Sequence, residues 1–206
     1  MRGFRRLAAL TAVTASAGLL LVSGSGIASA TAKPAASVRL SGGDTRVTTG
    51  PGIATALLSH QIVPLAVSPG HQWLIVRRGQ PAVNFEFPVT GGRVSLNPVG
   101  GYIDHRGGIL FVNIRNGKQI EVSNFIINLN KSDLTGIVNG NGRVRVPVFS
   151  LSLAHATLKA GPHSVEATGI VVTLTKAAAG ALNASLGTNL FSGGLRIGTA
   201  GTELRF

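Results

Sequence analysis

Residues 108–129 read GILFVNIRNGKQIEVSNFIINL, two apolar runs joined through Arg115-Asn116-Gly117. An Asn-Gly pair between runs of β-forming residues signals a hairpin, and the length of the loop decides the register. A two-residue Asn116-Gly117 turn would set Val112 opposite Glu121 and mix apolar with polar side chains on one face. A three-residue loop, with Gly117 in the left-handed bulge position, sets Ile114 opposite Lys118, Val112 opposite Ile120 and Leu110 opposite Val122. That register gathers the apolar set on one face and is the one expected. Beyond Val122 the apolar positions change parity to Phe125, Ile127 and Leu129, so a bulge at Ser123-Asn124 is expected to exchange the buried face and curve the sheet.

The same period-two signal extends outward in both directions. Upstream it predicts strands at Ile62–Val67, Trp73–Arg78, Val83–Val89, Arg93–Leu96, Gly101–His105 and Ile109–Ile114. Downstream it predicts Gln119–Ser123, Phe125–Leu129, Leu134–Asn139, Arg143–Leu153, Val165–Leu174 and Leu195–Phe206, with Asn139-Gly140-Asn141-Gly142 as a hairpin turn. Two short helices interrupt the pattern. Thr48-Thr49-Gly50-Pro51 provides hydroxyl caps ahead of Ile53, Ala56, Leu57 and His60, and Thr175 caps Lys176–Leu186 with Gly187 placed to stop it. The stripe Ala178, Leu182, Leu186 and Leu190 is expected to dock on the sheet or plug one end of a barrel. Many short, evenly spaced strands predict a mainly β fold, an antiparallel sandwich or barrel with one or two short helices.

The N-terminus reads differently. Arg2, Arg5 and Arg6 precede an uncharged, small-to-apolar run from Leu7 to Val22, and Ala28-Ser29-Ala30 offers a small-x-small cleavage site, so residues 1–30 are expected to be a signal peptide. The run is broken by Thr11, Thr14, Ser16 and Gly18, which argues against a membrane anchor, and no later segment is long and apolar enough to span a bilayer. Residues 31–44, rich in Ala, Ser, Pro and Gly, are expected to form a flexible stalk, leaving 45–206 as one β-rich domain. The expected setting is secreted or cell-envelope. The whole chain has 19 Lys and Arg, seven Asp and Glu, and no cysteine. Removing a leader with three of those cations leaves 16 against seven acids, a net of +9. The cations are scattered or paired, as at Arg77-Arg78, rather than set in an aromatic-studded stripe, so nucleic acid is not an expected partner and anionic wall polymer or lipid headgroups are. Without cysteine, disulfides, thiolate zinc and a cysteine nucleophile are excluded.

Catalytic patterns are absent as well. There is no Gly-x-Ser-x-Gly elbow, the seven carboxylates are widely spread, and no histidine spacing suits a metal. The polar cluster that stands out is Gly101-Tyr102-Ile103-Asp104-His105-Arg106-Gly107-Gly108. In a strand, Tyr102 and Asp104 share one face while His105 takes the other. Tyr102, Asp104, His105 and Arg106 are the candidate ligand-binding residues, and the leading expectation is a non-catalytic binding module. A hydrolase of cell-wall or lipid substrates would need Asp104, His105 and a serine to converge.

Phe85-Glu86-Phe87-Pro88, Gly91-Gly92 and Gly101-x-x-x-His105-x-Gly107-Gly108-x-Leu110 together resemble the core pattern of HtaA-type domains, secreted or wall-bound domains of actinobacteria. The resemblance covers about Val83 to Leu129. It implies haem capture by a tyrosinate near the start of the domain with a supporting histidine, a role that falls on His105. The stretch that should supply the tyrosine reads Ala56-Leu57-Leu58-Ser59-His60 here. On this reading Tyr102 and His60 join His105 as the candidate haem residues.

Overall fold

The computed structural model describes residues 37–139 and 144–206. The expected leader, residues 31–36 of the expected stalk, residues 140–142 of the expected Asn139–Gly142 turn and residue 143, the expected start of the next strand, lie outside the described residues. The elements are β1 (Ser37–Arg39), β2 (Gly42–Thr49), α1 (Ile53–Ser59), β3 (Ile62–Val67), β4 (His71–Arg77), β5 (Gln80–Leu96), β6 (Val99–His105) and β7 (Gly108–Asn113). They continue with β8 (Gln119–Asn128), β9 (Asp133–Val138), β10 (Arg145–Ser152), β11 (Thr157–Ala160), β12 (Ser164–Leu174), α2 (Lys176–Leu186) and β13 (Arg196–Arg205).

The architecture is a barrel. Antiparallel pairing runs β5–β2–β13–β12–β10–β9–β8 and returns through β6 to β5, a closed ring of eight strands. Two long strands make the closure possible by dividing one edge between two partners. β5 pairs with β4 over residues 80–86 and with β6 over 89–96. β8 pairs with β7 over 119–123 and with β6 over 126–128. The outer strands β3 and β4 extend from these edges, with β3 on β7 and β4 on β5.

β5 was expected as two strands separated by Gly91-Gly92; it is one, bent. Gly92 has φ 132°, and a Cβ there would lie 2.4 Å from the Tyr102 carbonyl oxygen, so glycine permits the close approach that keeps the bent strand paired. In β8 the expected bulge is present: the register shifts between Ser123 and Ile126, Asn124 takes φ 51°, and Phe125 and Ile127 are buried.

The β7–β8 hairpin corrects the expected register by one residue. Ile109 lies opposite Val122 and Phe111 opposite Ile120. The loop is Ile114–Gly117, closed by Asn113 N–H to Lys118 O (2.8 Å) and Gly117 N–H to Asn113 O (2.9 Å). The run Ile109–Ile114 is apolar on both parities, so alternation could not choose the inward half. A buried amide takes part in the choice: Asn113 Nδ2 donates to Leu186 O at the end of α2 (2.9 Å), and its Oδ1 accepts from Arg115 N–H (3.0 Å). Asn116 Nδ2 donates to the same carbonyl (3.0 Å).

Other boundaries also move. Residues 37–44, expected in the stalk, form β1 and the start of β2, pairing with β5 and β13 through their backbones. The alternation Ser37-Val38-Arg39-Leu40-Ser41 is only five residues long and runs into Gly42-Gly43, too short to signal a strand, and Leu40 is the buried anchor between the two strands. α1 starts after Gly52, without a side-chain cap. Thr48 and Thr49, expected as its caps, finish β2, where Thr48 Oγ1 donates to Asn84 Oδ1 (2.6 Å) and Thr49 Oγ1 accepts from Val83 N–H (2.9 Å). β11, exposed along its whole length on the edge of β12, gave no sequence signal. α2 has the expected ends: Thr175 Oγ1 accepts from Ala178 N–H (3.0 Å), and Gly187 closes it in the left-handed conformation. It buries Ala178, Ala179, Leu182 and Leu186 and packs on β7, β8 and β10.

Asn113 thus ties a hairpin loop to a helix terminus. Asn113→Ala is expected to destabilise the domain by about 1–3 kcal/mol, because the Leu186 carbonyl loses one donor and the loop its turn. Thr175→Ala, which removes one cap bond, is expected to cost about 1 kcal/mol. Urea titration should show both as lower midpoints at unchanged m, with Asn113→Ala the lower.

Candidate functional site

Strand β6 sorts the candidate residues by alternation. Ile103 and His105 point into the barrel, and Tyr102 and Asp104 point out. Tyr102 is 47% exposed and pairs across the ladder with Arg93. It borders a surface hollow with Ser37, Ser95 and Asn130, where Asn130 Oδ1 accepts from Gly101 N–H (3.1 Å). Arg106 is exposed, and its backbone N–H bonds to Pro88 O across the end of β6 (3.2 Å). His60 lies exposed at the C-cap of α1.

His105 is 4% exposed and belongs to a buried polar chain. Its Nε2 lies 2.7 Å from Thr45 Oγ1; Thr45 Oγ1 donates to Thr202 Oγ1 (2.8 Å), and Thr202 Oγ1 donates to Asp44 O (3.2 Å). Thr45 and Thr202 are neighbours across the β2–β13 ladder. The imidazole Nδ1 is buried with no hydrogen-bond partner. Burial in these surroundings lowers the His105 pKa from 6.5 to about 4, while the backbone of Phe125 and Ile103 beside the ring acts in the opposite direction.

The polar chain lies between two apolar spaces. The larger, about 180 Å³, is lined by Phe85, Phe87, Phe111, Phe125 and Phe191 together with His105, and α1 and α2 contribute Leu57 and Leu182. Phe87 meets Phe125 edge-on at 5.1 Å, and Phe111 meets Phe191 edge-on at 6.3 Å. The smaller space, about 60 Å³, lies among Val94, Ile103, Ile127, Val172 and Leu204, with Thr45 and Thr202 in its wall.

The structure therefore does not bring the candidate residues into one cluster. Asp104 and His105 face opposite sides of β6, and the His105 ring bonds to a threonine rather than to a serine or carboxylate. A base working on Thr45 would need a third group to orient it, and Nδ1 has none. Nor do these residues fit an iron porphyrin. Tyr102 is outside the barrel, His105 inside and His60 at an exposed helix end, so the donors do not converge. The 180 Å³ space is also smaller than the roughly 300 Å³ at which pockets for drug-sized ligands begin. Thr45 and Thr202 escaped sequence reasoning because their proximity is a matter of register between strands at opposite ends of the chain. An inward threonine beside an inward histidine becomes a signal only once β2, β6 and β13 are placed.

Neither a family model nor a curated protein matches the sequence. Among solved structures, the C-terminal domain of HtaA from Corynebacterium glutamicum superposes with a TM-score of 0.52 at 15% identity, over 80% of this chain and 99% of that one. A domain-swapped dimer of a histidine-to-alanine variant of that domain gives 0.49 at 15% identity, over 75% of this chain and 90% of that one. The first superposition shows a shared fold. No helix among the described residues is long and apolar enough to cross a membrane.

Because the unfolded chain binds a proton at His105 more readily than the folded one, the neutral ring favours the fold above pH 6.5, and this contribution is lost as pH falls toward 4. The loss is expected to reach about 2 kcal/mol at pH 5, with most of it removed in His105→Leu. Urea midpoints of both proteins measured between pH 7.5 and 5 check this: parallel pH profiles would refute it.

Proposed function

We propose that this chain, built on the fold shared with the HtaA C-terminal domain, is a non-catalytic binding module that takes a small apolar guest into its barrel. The 180 Å³ interior space carries the proposal. An eight-stranded barrel is just wide enough either to be filled by its own side chains or to hold one small ligand, and here the side chains stop short of filling it. Apolar cavities of roughly 150 Å³ stay dry and admit guests the size of benzene. The signal-like N-terminus supports action outside the cytoplasm, in the secreted or envelope setting.

A second surface supports a location beside anionic lipid. The β4–β5 hairpin ends in the two-residue turn Arg78-Gly79, and Leu74 and Val76, 73% and 76% exposed, flank the cations Arg77 and Arg78. An apolar flank beside exposed guanidinium groups suits a headgroup layer better than a purely polar polymer.

Toluene at ten times its dissociation constant should raise the melting temperature by about 3–5 °C, and Ala181→Phe, which adds a ring to the cavity wall, should abolish the shift. No shift at saturating toluene would overturn the cavity reading. Added haemin should keep the spectrum of free haemin. Co-sedimentation with phosphatidylglycerol vesicles should exceed that with phosphatidylcholine and should drop with the double substitution Arg77→Glu, Arg78→Glu or with high salt.

A further inference from the structure

Tyr102 stands in a row of exposed side chains on the outer face of the barrel. The ladder sets Arg39 of β1 opposite Arg93 of β5, and Arg93 opposite Tyr102 of β6. Like charges directly opposite each other destabilise a sheet, and among the described residues neither guanidinium has a carboxylate within ion-pair distance. The surface hollow beside this row, about 250 Å³, is lined by Arg93 and Tyr102 with Ser37, Ser95, Gly100 and Asn130. Asn130 packs so closely on Gly100 that a Cβ there would lie 2.5 Å from its Oδ1. Once internal bonds are counted, the side-chain groups left over in the lining have hydrogens to give. Asn130 Oδ1 accepts from Gly101 N–H (3.1 Å), which leaves its amide hydrogens, and Ser37 Oγ accepts from Arg93 Nη1 (3.4 Å), which leaves its own. The Ser95 hydroxyl is spent on Pro98 O (2.8 Å), while Arg93 and Tyr102 add a guanidinium fork and a phenol hydroxyl.

We propose that this hollow binds a phosphate group, as the free ion, an ester or a diester, with Arg93 and Arg39 facing its charge and Ser37, Tyr102 and Asn130 donating to its oxygens. The site is separate from the barrel interior and from the β4–β5 hairpin, and stands or falls independently of both. No carboxylate lines the hollow, so an anion enters without repulsion from the wall. The donors come from β1, β5, β6 and the turn between β8 and β9, so they surround a ligand rather than line up along it. That suits a tetrahedral group with several oxygens better than a planar carboxylate with two. A bound anion also offsets the repulsion between Arg39 and Arg93, which links the site to the pairing of β1 with β5. The same group occurs in lipid headgroups and in phosphodiester polymers.

The chain has one tyrosine, so isotope-labelled tyrosine gives a single reporter at the site. Inorganic phosphate, added at constant pH and ionic strength, should shift the Tyr102 ring resonances saturably, and chloride should not. Arg93→Gln should weaken phosphate binding by about tenfold and Arg39→Gln by a smaller factor, while the double substitution Arg77→Glu, Arg78→Glu should leave it unchanged. A shift that does not saturate, or equal affinity in Arg93→Gln, overturns the proposal. Two further probes separate the sources of the group: glycerophosphoglycerol, a soluble phosphodiester, and phosphatidylglycerol vesicles, which present it on a surface. Loss of vesicle co-sedimentation in Arg93→Gln assigns the site to a headgroup. Loss of glycerophosphoglycerol binding with vesicle binding retained assigns it to a polymer-type diester. If Arg93→Gln changes neither, the proposal is overturned.

Discussion

Strand β6 is the bond on which the rest of the molecule depends. Only seven residues long, it pairs with the second half of β5 along one edge and with the second half of β8 along the other, and without it the sheet would be an open curve. An antiparallel sheet of this length with one apolar face must either meet a second sheet or close on itself. Closure is selected here because β5 and β8 bend where Gly92 and the Ser123–Ile126 bulge allow them to, which turns both strands toward the bridging partner. The inward positions of β6, Ile103 and His105, are consequently near the middle of the barrel, where any polar group needs a partner from a neighbouring strand.

That requirement accounts for the threonines. A histidine placed inside an apolar barrel is tolerable when neutral and bonded, and Thr45 with Thr202 provides the bond for one nitrogen. The pair stands on adjacent strands at a register position where two hydroxyls can meet, and the backbone carbonyl of Asp44 terminates the series. Ring closure and the buried hydrogen-bond chain are therefore one linked arrangement, in which the histidine is a structural member of the barrel wall.

Much of this was legible in the sequence where a local signal sufficed. The alternation at Ile62–Val67 and the Thr175 cap with its Gly187 stop locate β3 and α2 to the residue. The parity change after Val122 identifies the β8 bulge, and period two assigns Tyr102 and Asp104 to one face and His105 to the other. Signals failed where several registers were equally apolar, as in Ile109–Ile114, and where a strand is short and exposed on a sheet edge, as in β1 and β11. Sandwich and barrel share the same alternation, because the difference lies in a single closing strand. The cavity itself is a property of what the side chains leave unfilled, and no stretch of sequence carries that.

The buried threonine–histidine bar has a consequence for size as well as chemistry. Thr45 borders both interior spaces together with Val47, Leu134 and Phe149, so the bar stands in the partition between them. The interior is therefore two compartments with a hydrogen-bonded partition between them rather than one continuous channel.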